Sequence, residues 1–98
     1  MNSLHPKDVA HKQPLYIIDI RPVTDPVTAE VFKVDIHTSL EQLQTGTLPD
    51  VPRATPLLVV CHYGRVSELA AAYLEAAGFS EVYNLAGGVR SYRRWLAG

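Results

Sequence analysis

Ninety-eight residues, 47% of them hydrophobic and 19% charged, provide for one core, and exclude both a multidomain chain and a disordered one. Nine Lys and Arg against ten Asp and Glu give a formal charge of −1, which excludes the broad basic face that a nucleic-acid backbone requires. A single cysteine excludes an internal disulfide and a cysteine-based zinc site, leaving a buried small hydrophobe, an intermolecular thiol or a reactive nucleophile.

Met1 to Asp8 contains no apolar run of signal-peptide length, and the longest apolar run, Leu57 to Cys61, is too short to cross a bilayer, so the expected location is the cytoplasm, with no membrane partner. A short helix is predicted near Pro6, whose fixed φ and missing N–H suit a first helical turn. Tyr16 to Ile20 (YIIDI) is a near-continuous apolar run of strand length, and Val34 to His37 a weaker strand. A helix then starts at Thr38 or Ser39, since Thr38 with Glu41 and Ser39 with Gln42 both form capping boxes; Leu40 and Leu43 are its apolar side. Gly46 to Pro56 holds three of the seven prolines and reads as a surface connection. It leads into a second apolar strand, Leu57 to Cys61 (LLVVC).

The strongest helical pattern follows, with Val66, Leu69, Ala70, Tyr73, Leu74 and Ala77 on one face and Gly78 as terminator. Glu81 to Leu85 reads as another strand, stopping at Gly87 and Gly88. A last helix from about Gly88 is expected to bury Val89, Tyr92 and either Trp95 or Leu96; Tyr73 and Trp95 read as core. The alternation of strands and helices predicts a single α/β domain over residues 1–98: a central, mainly parallel sheet with helices on both faces. Tyr16 to Ile20 and Leu57 to Cys61 are its expected inner strands, with Val34 to His37 and Glu81 to Leu85 nearer the edges.

Chemistry is expected where Cys61 ends the central strand and His62, Tyr63, Gly64, Arg65 and Val66 lead into the strongest helix. Ligands of open α/β sheets bind beyond the carboxyl ends of the strands, and a helix start presents unpaired N–H groups to an anion. A thiolate is such an anion. Arg65, and His62 when protonated, add positive charge beside it, while Gly64 lets the backbone turn its N–H groups inward. The competing reading is a cysteine that is simply buried.

These residues resemble the rhodanese-like (thiosulfate sulfurtransferase) domain family over nearly the whole chain. IIDIR at Ile17 to Arg21 is similar to its first-strand motif, and LLVVCHYGRVS at Leu57 to Ser67 to its strand and active-site loop. AGFSEVYNLAGGVRSYRRW at Ala77 to Trp95 resembles its C-terminal signature. The resemblance implies a rhodanese-like fold and a cofactor-free reaction. In it Cys61 takes a sulfane sulfur from a donor such as thiosulfate, holds it as a persulfide, and passes it to an external thiol or to cyanide. Gly64 matches the family's loop glycine. The other reading it leaves open is a non-enzymatic binding or sulfur-relay module with an atypical loop.

Two features depart from the family. Val66 stands at the fifth position after the cysteine, where Arg, Ser or Thr often closes the loop, and Arg65 comes one place earlier, so that Arg65, or Ser67 through its hydroxyl, is left to face the anion. Val27 to Lys33 lacks the family's glycine-histidine-isoleucine-proline-glycine-like segment. Ser67 at the sixth position, where related phosphatases carry arginine, argues against phosphatase chemistry.

Asp19 and Arg21 match the family's Asp-x-Arg and read as a brace for neighbouring backbone rather than as chemical groups. His5, His11, His37 and His62 have no tight ligand spacing, so no metal is expected. Arg90, Arg93 and Arg94 beside Trp95 form a basic-aromatic cluster that reads either as a solvated helix face or as a dock for an acidic partner.

Overall fold

Leu57, Leu58, Val59 and Val60 have no solvent exposure, and the rest of the fold is arranged to cover them. A computed structural model describes residues 2–12, 14–21 and 33–98. It contains a five-stranded sheet of β1 (Asn2–Leu4), β2 (Tyr16–Asp19), β3 (Ile36–His37), β4 (Leu57–Val60) and β5 (Val82–Leu85). The order is β1-β5-β4-β2-β3, with every pair parallel. The helices are α1 (Pro6–Val9), extended by a 3-10 turn at Ala10–Lys12, α2 (Leu40–Gln44), α3 (Val66–Ala76) and α4 (Gly88–Leu96).

Strand alternation divides the core in two. Ile18, Leu57, Val59 and Val82 face α2 and α3 through Leu43, Ala70, Ala71 and Leu74. Ile17, Leu58, Val60, Tyr83 and Leu85 face α1 and α4 through Val9 and Val89. A strand covered on both faces gains from each side chain, at about 1.5–3 kcal/mol for a fully buried Val or Leu, which is why its sequence reads as an unbroken apolar run.

β2 and β4 are inner strands, as their composition predicts. The strand read at 81–85 lies one strand from an edge, as β2 does: β5 is flanked by β1 and β4 and is buried throughout. The edge beyond it is formed by β1, whose three residues pair Asn2 with Tyr83, Ser3 with Asn84 and Leu4 with Leu85. Three residues are too few to show a period of two, so composition alone left this edge unseen. The strand read at 34–37 is shorter, pairing Ile36 and His37 with Ile18 and Asp19, while the Asp35 carboxylate accepts the Ile17 N–H at 2.7 Å. Ser39 is the cap of α2, its Oγ accepting from Gln42 N at 3.1 Å, and Thr38 donates instead to the Gln42 side chain.

The buried face of α3 is Ser67, Ala70, Ala71 and Leu74, displaced from the predicted face: Val66 is 47% and Leu69 62% exposed. Ser67 makes the polar contacts described below on the face that Ala70, Ala71 and Leu74 bury in the core. The C-terminus of α3 ends in a Schellman arrangement, with Phe79 N–H on Leu74 O at 3.2 Å and Gly78 N–H on Glu75 O at 3.0 Å. Trp95 is not core, being 45% exposed with Leu96 at 53%. α4 covers the sheet through Val89 and the half-buried Tyr92, and its last turn projects beyond the surface that could bury it. The departure noted at Val27 to Lys33 lies outside the described residues, except for Lys33. Among the described residues, no helix is long and apolar enough to cross a membrane.

Candidate active site

β2 connects outward to β3, whereas β4 connects the other way to β5. The sheet therefore changes winding direction between β2 and β4, and a crevice opens beyond their carboxyl ends. That crevice is a cavity of about 310 Å³ lined by Ile20 and Arg21 from the end of β2 and by Cys61, His62, Tyr63, Arg65 and Val66 from the end of β4. Topology alone thus brings Cys61 to a cavity, although its own exposure is only 6%.

The Cys61 sulfur is held from three directions. Gly64 N–H donates to Sγ at 3.1 Å and Ser67 N–H at 3.4 Å, while the thiol donates to Ser67 Oγ at 3.2 Å. Arg65 is the N-cap residue of α3 and makes no side-chain capping bond, so the second helical residue, Ser67, gives its N–H to sulfur. The sulfur occupies the position that a Ser, Thr or Asp oxygen takes at an ordinary helix start, where partial positive charge favours an anion. Gly64 is required because its φ is +84° and an added Cβ would stand 2.9 Å from Leu85 O and 3.0 Å from Gly87 N.

The loop is in turn fixed by its neighbour. Ser67 Oγ donates to Asn84 Oδ1 from β5, and the Asn84 amide nitrogen donates to Gly64 O at 3.2 Å and to Ser3 Oγ at 3.5 Å. Because Nδ2 faces a carbonyl, which only accepts, the amide oxygen must face Ser67. α4 also begins without a side-chain cap, and its Val89 and Arg90 N–H groups bond Cys61 O at 2.8 Å and His62 O at 3.1 Å. Gly88 permits this approach: a Cβ there would lie 2.4 Å from the His62 carbonyl.

Of the residues read as the site, Cys61, Gly64 and Ser67 form the buried cradle, whereas His62, Tyr63, Arg65 and Val66 form an exposed rim. Two backbone N–H groups, not the whole loop, reach sulfur. Asp19 is fully buried: Oδ1 accepts Arg21 N–H at 2.8 Å and lies 3.5 Å from Arg21 Nε, and Oδ2 lies 2.9 Å from His37 Nε2. Asp19 is thus a brace, while Arg21 also lines the cavity with Cys61. Asn84 was missed in the sequence. Its signal was a polar side chain in the middle of the apolar strand VYNL, which a buried strand tolerates only if that side chain is hydrogen-bonded.

A parallel α/β domain with one cysteine cradled by a glycine loop and a helix start at the sheet's winding switch has the geometry of a thiol site held by backbone N–H donors. Residues 5–94 match the rhodanese-like domain family, and the chain belongs to that family. It is 37% identical over 86 residues to thiosulfate sulfurtransferase GlpE of Pseudomonas fluorescens, covering 84% of this chain and 73% of that one. A second GlpE, from Pseudomonas putida, is 36% identical over 81 residues, covering 79% of this chain and 68% of that one. Among solved structures, a rhodanese homolog from the extremely thermophilic bacterium Thermus thermophilus superposes with a TM-score of 0.72 at 33% identity, covering 90% of this chain and 96% of that one.

Proposed function

We propose that this domain transfers a sulfane sulfur from an anionic donor such as thiosulfate to a thiol or cyanide through a persulfide on Cys61. The observation that carries the reading is the cradle: Sγ lies within reach of Gly64 N–H, Ser67 N–H and the Ser67 hydroxyl, at the wall of an open cavity. The Cys61 thiolate attacks the outer sulfur of thiosulfate, forming the Sγ–S bond as the S–S bond to the sulfonate breaks and sulfite leaves with the electron pair. Attack by cyanide or a thiolate on that sulfur then breaks the Sγ–S bond and returns Cys61 as thiolate. Charge is conserved in both steps. Loop N–H groups that already face sulfur stabilise thiolate and persulfide alike with little reorganisation.

Ser67 links this chemistry to the fold. With sulfur protonated, the thiol donates to Ser67 Oγ and the hydroxyl donates to Asn84. Once the proton leaves, the hydroxyl can turn to sulfur as a third donor. The described residues hold no group of three or more His, Cys, Asp or Glu able to bind a metal ion, and the proposed reaction needs none.

The test is a mass measurement. Incubation with thiosulfate is expected to add one sulfur atom to the protein, and cyanide to remove it. A thiol that stays unmodified, in a folded protein, supports instead a binding module that uses the same loop without chemistry.

A further inference from the structure

Four of the nine Lys and Arg side chains, Arg65, Arg90, Arg93 and Arg94, surround one flank of the Cys61 loop, in a chain whose formal charge is −1. Arg65, Arg90 and Arg94 line a cavity of about 620 Å³ with Tyr63, Gly87 and Ser91. Arg93 joins Arg90 in a smaller cavity against His62 and Tyr63. The Arg90 guanidinium lies 5.5 Å from the centre of the Tyr63 ring, so the collar is tied to the loop itself.

Local helix energetics do not explain this placement. Arg93 and Arg94 sit in the last turn of α4, where cations are favoured, but Arg90 is in its first turn and Arg65 is the N-cap of α3. Helix starts favour acids. Arg90, Arg93 and Arg94 are also spaced i, i+3 and i+4, so they repel one another on one face. Among the described residues, no carboxylate pairs with any of the four. Such a collar attracts anions from outside, and thiosulfate, with two charges and five heavy atoms, cannot engage all of it.

We propose that the collar docks an acidic polypeptide segment whose cysteine thiolate takes the sulfur from Cys61. This rests on the sulfurtransferase reading and names its acceptor class. The 98 residues hold no second cysteine, so the accepting thiol is external to them. A polypeptide fits better than a nucleic acid because the same rim exposes Tyr63 and Val66, and the cavity at Cys61 is walled by Ile20 and Val66. Apolar anchors flanked by arginine and tyrosine form the usual composition of a protein interface. In the transfer step the acceptor thiolate attacks the outer sulfur of the Cys61 persulfide. The acceptor–S bond forms, the Sγ–S bond breaks, and Cys61 leaves as thiolate with the electron pair.

The test loads the domain with thiosulfate, removes excess donor, and follows loss of the added sulfur by mass. Three synthetic cysteine peptides serve as acceptors, identical but for flanks of Asp and Glu, of Ser, or of Lys. Discharge to the acidic peptide is expected to be about tenfold faster than to the serine peptide at low ionic strength, with the ratio falling toward one as salt rises. In Arg90→Gln/Arg94→Gln, two exposed sites, that ratio is expected to fall to within about twofold of one, with an unchanged thermal midpoint showing that the fold is kept. Equal rates for the three peptides, or a ratio untouched by the double substitution, overturn the proposal. So does a single-stranded oligonucleotide that displaces a labelled acidic peptide at lower concentration than the unlabelled acidic peptide of equal length and charge, which would make the collar a phosphate site. If no sulfur is ever loaded, the sulfurtransferase reading fails first. Fluorescence anisotropy of a labelled acidic peptide, with its cysteine replaced by serine, then decides docking separately, and absence of binding rejects it.

Discussion

Two strand-to-helix turns stand side by side at the carboxyl end of the sheet, from β4 into α3 and from β5 into α4, and each uses glycine with positive φ and a helix start without a side-chain cap. They use their free N–H groups differently. At α3 the Ser67 N–H goes to the sulfur of Cys61, whereas at α4 the Val89 and Arg90 N–H groups go to the carbonyls of Cys61 and His62. One turn gives its N–H to the sulfur, and the other supports the backbone that carries that sulfur. The Cys61 loop is not held by its own contacts alone: Asn84 and the start of α4, both supplied by the second strand-to-helix unit, hold it from behind.

Cys61→Ala breaks the difference between the two turns outright. It is expected to abolish sulfur uptake by mass, while chemical denaturation shows a loss of no more than about 2 kcal/mol. Failure to fold would mean that sulfur serves α3 only as a cap. Gly88→Ala attacks the supporting turn, since its Cβ would meet the His62 carbonyl at 2.4 Å. A loop displaced by about 1 Å is expected to slow persulfide formation roughly 100-fold, and stability to fall by about 2–4 kcal/mol. Gly46→Ala, with φ +95° but nothing within 4 Å of the added Cβ, is the control and should cost only about 1–2 kcal/mol with sulfur uptake unchanged. If Gly88→Ala loses stability but keeps its rate, the second turn does not shape the first.

Ser67→Ala removes the side chain that joins the Cys61 sulfur to Asn84. Thiol alkylation and sulfur uptake are expected to slow by about 10- to 100-fold, less than the loss of a principal oxyanion donor, because two backbone N–H groups remain. Arg65→Ala tests the rim against the cradle: the KM for thiosulfate is expected to rise by roughly three- to tenfold, an effect that added salt partly reproduces in the unsubstituted protein. Insensitivity to both would leave the backbone alone responsible for anion binding.

The smallest effect belongs to the supporting strand. Tyr83 titrates above its ordinary 10.0 because its hydroxyl donates to Glu81 Oε2 at 2.8 Å, with burial and the Glu81 charge adding to the shift. A raised folded value means a contribution to stability that is complete below pH 10 and fades as pH rises through that value. In Glu81→Gln the tyrosine absorbance titration should move to lower pH, with sulfur uptake unaltered. Altered uptake would show that the far end of β5 communicates with its end at Asn84.

The α/β class, the two inner apolar strands and the place of Cys61 at the end of the central strand were legible in the sequence. A strand buried on both faces cannot disguise its composition, and the lone cysteine falls where such a strand meets a helix. The sequence also located the glycine of the cradle, because only glycine adopts the required φ beside Leu85 O. Tertiary structure decided the rest. The edge strand β1 forms because β5 offers Asn2 to Leu4 a parallel partner, and three residues carry no pattern of their own. The buried face of α3 keeps Ala70 and Leu74 of the predicted apolar stripe but takes in Ser67, which bonds Cys61 six residues before it and Asn84 on a neighbouring strand, and leaves Val66 and Leu69 exposed. The exposure of Trp95 depends on where α4 outruns the sheet, and the gathering of Arg65 with Arg90 and Arg94 depends on β4 and β5 being neighbours. Periodicity reports only how one element is buried, whereas a site shared by two turns exists only once their strands are paired.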